Sequence, residues 1–395
     1  MKKRIAIVNQ RYGKEVIGGS EYYTRLIAER LKDRYEIEIL TTRAKDHETW
    51  ANEYPAGLQQ VDGIPVRRFS TEKERKISQF GPINAQVCLG DRRTREQEEF
   101  WLKEQGPLVP SLITYIREHK DDYDAFVFVT YLYYPTVLGL KEVAHKSILI
   151  PTAHEEPPIH FSIYRDVFIG PRAFVFLTDE ERELVHHLFG NEAVEHEVAG
   201  VGIDVPHDVN AARFRNKHNI ASPYVTYVGR IENGKGCEWL IKYFVEYKKR
   251  NPGELKLVLM GKKLIDIPKD PDIVCLGFVS EQDKFDGMAG AEALLLPSAF
   301  ESLSISVLEA MSVGTPVIVN GVCEVLKGHC HKSNAGLYYT DYFEFEGCVN
   351  YLLSHPQESA QMRENARQYV HDHYRWDVIM RQFDRIIQTV TEQSK

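Results

Sequence analysis

Short apolar runs alternate with amphipathic stretches along most of the chain. Ile5–Val8 is an apolar run of strand length, and Glu21–Leu31 then sets Tyr23, Ile27 and Leu31 at four-residue spacing, which predicts a helix with one buried face. Further strands are predicted at Glu36–Leu40, Ala125–Val129, Ser147–Ile150 and Ala173–Phe176. Residues 70–106 break the pattern: they carry Arg75, Lys76, Arg92, Arg93 and Arg95 with weak periodicity, and predict long loops plus one helix. After the glycine-rich Val198–Pro206 the alternation restarts, with strands predicted at Tyr224–Tyr227, Leu255–Met260, Ile273–Leu276, Ala293–Leu296 and Pro316–Val319. A last amphipathic helix carries Trp376, Met380, Phe383, Ile387 and Val390. Strands alternating with helices predict an α/β chain with parallel sheets. The restart predicts two domains, 1–205 and 206–375, followed by the closing helix 376–395. No repeat of short period and no low-complexity tract is present.

At 395 residues the chain is long enough for two separate cores. With 43% apolar and 27% charged residues it falls among soluble globular proteins. A net charge of -8 argues against a nucleic-acid binder, which needs a basic face, but allows a local basic patch facing anionic lipid. The longest uncharged run, Ala125–Leu140, is too short to span a bilayer and is interrupted by Pro135. The start, Met1 to Arg4, leads directly into a strand without a signal-peptide pattern. Scattered cysteines (Cys88, Cys237, Cys275, Cys323, Cys330, Cys348) suit a reduced compartment, so the cytoplasm is expected.

The chemistry concentrates after strands. Between the first strand and its helix stands Ile17-Gly18-Gly19-Ser20-Glu21, where paired glycines allow close backbone approach and a helix N-terminus offers N–H groups to an anion. The same residues also fit a plain turn with Ser20 as helix cap. Arg230 and Lys235 lie in Gly229-Arg230-Ile-Glu-Asn-Gly-Lys235-Gly236, again between a strand and a helix, where two fixed cations suit a departing diphosphate. Glu301 and Glu309 lie in a strand, loop, helix and strand frame closed by Gly314-Thr-Pro316, with one carboxylate on the loop and the other on the helix. There is neither G-x-G-x-x-G nor a P-loop pattern, so a dinucleotide cofactor and a P-loop nucleotide site are unsupported.

Together these segments resemble the family-4 retaining glycosyltransferases (glycosyl transferases group 1), with their Glu-x7-Glu and Gly-Arg…Lys-Gly motifs. The resemblance is strongest over Val225–Gly336. It implies the GT-B fold: two Rossmann-like domains with parallel sheets facing across a cleft, the first for an acceptor and the second for a nucleotide-sugar donor. It also implies that the last helix packs back on the first domain. By resemblance Arg230 and Lys235 hold the diphosphate, Glu301 contacts the donor sugar, and Glu309 holds the ribose. Gly18, Gly19 and Gly229 line the donor, and the amides of Ser302, Leu303, Ser304 and Ile305 sit at a helix start. His154, after Ile148–Pro151, matches a histidine beside the reacting sugar, though a lone histidine is more often structural. Phe278 and Val279 match the segment whose backbone meets the nucleobase, so UDP-, GDP- and dTDP-sugars all remain open. The family commonly has Gly-Phe-Gly after the first glutamate; here it is Ser-Leu-Ser, which leaves the sugar's identity open.

The implied reaction is metal-independent transfer with retention of configuration, in which the donor phosphate takes the acceptor proton. No cofactor is expected beyond the nucleotide-sugar substrate. Implied acceptors are a glycan, a lipid-linked intermediate or a small molecule in bacterial surface polysaccharide or glycoconjugate synthesis, with peripheral contact at the inner membrane face. The alternatives are a GT-B-like sugar-nucleotide epimerase or hydrolase, and a non-catalytic nucleotide-sugar-binding partner. Asp122-Tyr-Asp124 has the form of a metal-binding Asp-x-Asp but precedes its strand, and Cys323 with His329, Cys330 and His331 makes only one crowded half of a zinc site.

Overall fold

A computed structural model describes residues 2–90 and 92–392. The chain divides into two compact units, one running to Val201 and resuming at Ile379, the other Gly202–Val378. Each is a sheet flanked by helices.

The first sheet contains β1 (Arg4–Val8), β2 (Glu36–Thr42), β3 (Gly57–Val61), β4 (Ile64–Phe69), β5 (Ala125–Val129), β6 (Ser147–Ile150), β7 (Ala173–Phe176) and β8 (Glu195–Val198). Their order is β3-β4-β2-β1-β5-β6-β7-β8, and every pairing is parallel except the β3–β4 hairpin. Every residue of β5 and β6 is buried, and their unbroken apolar runs follow from cover on both faces. The second sheet contains β9 (Tyr224–Val228), β10 (Lys256–Met260), β11 (Ile273–Gly277), β12 (Leu294–Leu296), β13 (Val317–Asn320) and β14 (Gly336–Tyr339). It is wholly parallel, in the order β11-β10-β9-β12-β13-β14.

Residues 70–106 hold two helices, Ile77–Leu89 and Arg95–Gln105, which corrects the expectation of one. The first contains Pro82 and buries only Val87, so neither propensity nor a broad apolar face announces it. Packing supplies the reason: the Trp101 indole donates to Asn84 Oδ1 at 2.9 Å, and Phe80 lies 6.2 Å from the Trp101 ring. Three of the basic residues of this stretch are engaged internally. Arg75 donates to the carbonyls of Glu48 and Gln105, while Arg93 and Arg95 pair with Glu98 and Glu99.

The final helix, Trp376–Glu392, buries Ile379, Met380, Phe383, Ile387 and Val390. Within the first unit its Gln382 donates to the Val198 carbonyl at 2.7 Å and Arg385 pairs with Glu197. Among the described residues no helix is long and apolar enough to cross a membrane.

Candidate functional site

In the second unit the candidate residues follow the C-terminal ends of β9, β11 and β12, the edge of a parallel sheet where ligands gather. Beyond β9 the Tyr227 hydroxyl donates to the Arg230 carbonyl at 2.7 Å and pins the chain. A tight turn, Asn233–Lys235, ends in Gly236, whose φ of 73° is left-handed. A Cβ there would stand 2.6 Å from the Pro297 carbonyl oxygen, so glycine is required for the turn to lie against the loop leaving β12. The consequence is an ion pair: Lys235 Nζ lies 2.7 Å from Glu301 Oε1. Arg230 pairs with Glu232 at 3.0 Å. About a quarter to a third of each cationic side chain stays exposed, 26% for Arg230 and 31% for Lys235, leaving both open to an incoming anion.

Past Glu301 the chain buries Leu303, enters the left-handed region at Ser304 (φ 64°), and begins the helix Ile305–Ser312. Glu309 is on that helix and only 6% exposed. Its Oε1 lies 2.8 Å from Lys284 Nζ, and Lys284 also meets Glu281 at 2.9 Å. Burial pushes the Glu309 pKa up, and the Lys284 charge opposes that. Burial pulls Lys284 down, but Glu309 and Glu281 outweigh it and leave its pKa above the ordinary lysine value. The distances are those of an ion pair. Sequence reasoning passed over Lys284, because a lysine near a glutamate on one helix looks like solvated surface until the fold brings Glu309 to it.

His329, which the sequence offered only as half of a zinc site, is on the helix Glu324–Ser333 and fully buried. Its Nε2 donates to the Leu303 carbonyl at 2.7 Å and its Nδ1 accepts from the Tyr369 hydroxyl at 3.0 Å. Both nitrogens are thus engaged by protein groups, and burial pulls the pKa down to about 4. His331 is exposed. Among the described residues no cluster of histidine, cysteine or carboxylates is arranged to hold a metal. Phe278 stands 82% exposed just beyond β11, with Val279 half-buried beside it. Asp124 caps β1 by accepting from the Arg4 amide at 2.7 Å, which accounts for one of the two aspartates in that motif.

Gly18, Gly19 and His154 belong to the first unit. Gly18 caps the helix Gly19–Leu31, so the cap is not Ser20. Glu21 is buried with Arg11, 2.7 Å apart, and also accepts from Gln10 at 2.9 Å. A Cβ at Gly18 would lie 2.0 Å from Glu21 Oε2, whereas one at Gly19 would meet nothing within 4 Å. His154 lies past β6, 3.7 Å from Glu156. Its loop is anchored by Glu181, also unmarked in the sequence: one carboxylate oxygen accepts from the Ala153 amide at 2.5 Å and the other from Leu177 at 2.6 Å. Burial raises the Glu181 pKa to about 8.

Comparison with known proteins agrees with this architecture. Residues 222–355 match the model of the glycosyl transferases group 1 family. An uncharacterized glycosyltransferase of Methanocaldococcus jannaschii is 29% identical over 171 residues, 40% of this chain and 43% of that protein. The alpha-D-kanosaminyltransferase of Streptomyces kanamyceticus is 28% identical over 180 residues, 41% of this chain and 45% of its own. The chain thus spans about half the length of the curated relatives it matches. Sucrose-phosphate synthase from Thermosynechococcus elongatus superposes with a TM-score of 0.73 at 16% identity, over 99% of this chain and 100% of that one. HepE of Anabaena, solved with UDP and glucose, gives 0.70 at 17% identity, over 98% and 100%. The segment matching the glycosyl transferases group 1 family thus lies inside the second unit, and the chain, with a Rossmann-like sheet in each unit, has the GT-B fold.

Proposed function

We propose that the chain is a retaining, metal-independent glycosyltransferase that moves a sugar from a nucleotide-sugar donor to an acceptor hydroxyl. The observation that carries this reading is the Lys235–Glu301 pair at 2.7 Å, with Arg230 on the same loop, at the C-terminal edge of a parallel sheet. In this reading Lys235 and Arg230 take the donor diphosphate and stabilise the charge that grows on its oxygens as the sugar bond breaks. Glu301 orients the sugar and Glu309 the ribose. Gly18, Gly19, Gly229, Phe278, Val279 and the chain from Ser302 to Ile305 shape the donor's surroundings. The leaving phosphate takes the acceptor proton on the face it departs from, and His154 stands by the sugar. HepE, of the same fold, was solved with UDP and glucose, which supports a nucleotide-sugar donor here. We assign the acceptor to a glycan, a lipid-linked intermediate or a small molecule, and the setting to cytoplasmic synthesis of surface polysaccharide or glycoconjugate.

The test is release of nucleoside diphosphate from UDP-, GDP- and dTDP-sugars with EDTA present, beside Lys235→Ala. Turnover of one donor that survives EDTA and collapses in the variant supports the proposal. Donor turnover that EDTA abolishes, or that Lys235→Ala leaves intact, removes the metal-free clamp.

A further inference from the structure

We infer that His329 is a positioning residue of this site, holding the Glu301–Ser304 turn through its hydrogen bond to the Leu303 carbonyl. The contact lies between the residues that matter: Glu301 two positions before Leu303, the left-handed Ser304 immediately after it. Ser304 carries a Cβ at φ 64°, a conformation that persists only where surrounding structure imposes it. No side-chain cap hydrogen bond closes the start of the helix Ile305–Ser312, and within the turn the Ser304 hydroxyl lies 3.5 Å from that of Ser306. The helix Glu324–Ser333 and the residue capping it hold the turn at two carbonyls. Cys323 Sγ lies 3.8 Å from the Glu301 carbonyl, and His329 Nε2 lies 2.7 Å from that of Leu303.

The tautomer follows from the partners. A carbonyl only accepts, so the proton is on Nε2, and the Nδ1 lone pair receives the Tyr369 hydroxyl. Tyr369 in turn lies 3.3 Å, oxygen to oxygen, from Tyr374, which sets the imidazole in a buried chain of hydrogen bonds. His329 also lies on the face of its helix that packs inward, with Val325, Leu326, Cys330 and Ser333. Removing the imidazole leaves the Leu303 carbonyl buried without that partner. Rotation of the turn relieves this, releases Ser304 and draws Glu301 away from Lys235. The structural part stands by itself; the effect on turnover rests on the function proposed above.

The test compares His329→Gln, whose amide reaches the Leu303 carbonyl, with His329→Asn, whose shorter amide does not, and with His329→Leu. Two readouts are taken: hydrogen exchange of the amides of residues 302–308, and donor turnover at saturation beside the donor KM. In the leucine and asparagine variants we expect those amides to exchange at least about tenfold faster while β9 and β12 stay protected. Turnover should fall about ten- to a hundredfold with KM moved less than about threefold, and glutamine should stay within about threefold of the native protein on both readouts. Adding Ser304→Gly to the asparagine variant should recover part of the turnover. Native exchange and turnover in the asparagine variant would reduce His329 to core packing, as would a glutamine variant no better than asparagine. If the leucine variant fails to fold, the glutamine and asparagine pair still decides the matter. Local exchange that behaves as expected, in a protein that turns over no donor, would keep the positioning role and remove the transferase reading.

Discussion

The ammonium of Lys235 and the carboxylate of Glu301 lie 2.7 Å apart although 66 residues separate them in the chain. Each is the other's counter-charge, which orients both side chains. In the proposed reaction a donor diphosphate would share or displace Glu301 on Lys235, leaving the carboxylate to sugar hydroxyls.

Replacing Lys235 by alanine should therefore remove two things: the charge proposed to face the diphosphate and the partner that orients Glu301. We expect a barrier increase of about 2–4 kcal/mol at saturating donor. Glu301→Ala should also lower turnover, and the double variant should lose far less than the sum, because residues in contact are not additive. A double-mutant cycle on turnover measures this; simple additivity would show that the pair does not act as a unit.

The Lys284–Glu309 pair is more deeply buried, with side chains 12% and 7% exposed. Breaking it by Lys284→Ala should destabilise the second unit by about 3–5 kcal/mol, since it strands a buried charge. Glu309→Ala should mainly raise the donor KM. Denaturant unfolding checks the first statement and steady-state kinetics the second; a Glu309→Ala enzyme with native KM would release Glu309 from the ribose.

Two buried groups, His329 in the second unit and Glu181 in the first, contribute pH dependences of opposite sign. His329 has its pKa lowered to about 4 from 6.5, so the folded state binds fewer protons than the unfolded chain between those values. Stability of the second unit should therefore be lost as pH falls from 6.5 to 4, by about 3 kcal/mol from this residue. Glu181 has its pKa raised from 4.5 to about 8, so its contribution is present below 4.5 and is lost as pH rises through 8 in the first unit. Unfolding against pH, followed by probes in each unit, should show His329→Gln removing the first contribution and Glu181→Gln the second; a variant with the native pH profile would take its residue out of this account.

Gly18 and Gly19 separate sterics from ligand approach. Gly18→Ala places a Cβ against Glu21 and must disturb the Arg11–Glu21 pair, so stability should fall. Gly19→Ala meets open space at the first position of a helix and should keep or slightly raise stability. If a ligand approaches that backbone, Gly19→Ala will still weaken donor turnover. Unchanged turnover would take Gly19 out of the site.

β1, β6, β9 and β12 were legible because each is a short apolar run that the fold buries, and β11 was legible from its apolar run although none of its residues is fully buried. The hairpin of β3 and β4 was missed even though it left a local mark. Its turn is Asp62-Gly63, both residues with positive φ (50° and 76°), which is strong hairpin chemistry. The exposed, glutamine-bearing β3 hid the alternation that would have drawn attention to it. The helix Arg95–Gln105 likewise carries a Thr94–Gln97 capping box, whereas Ile77–Leu89, with its internal proline, has no comparable signal.

Sequence by itself determined the alternation of strands and helices, the doubling of that pattern, and the spacing that sets Arg230, Lys235 and Glu301 just beyond strand ends and Glu309 on the helix that follows, because these follow from local periodicity and short motifs. Tertiary structure alone decided the partners: Lys235 with Glu301, Glu309 with Lys284, His329 with Leu303, Glu181 with Ala153. Each joins segments at least 25 residues apart. Burial, which fixes the protonation of His329 and holds Glu309 to Lys284, is a property of the packed whole that no stretch of sequence contains.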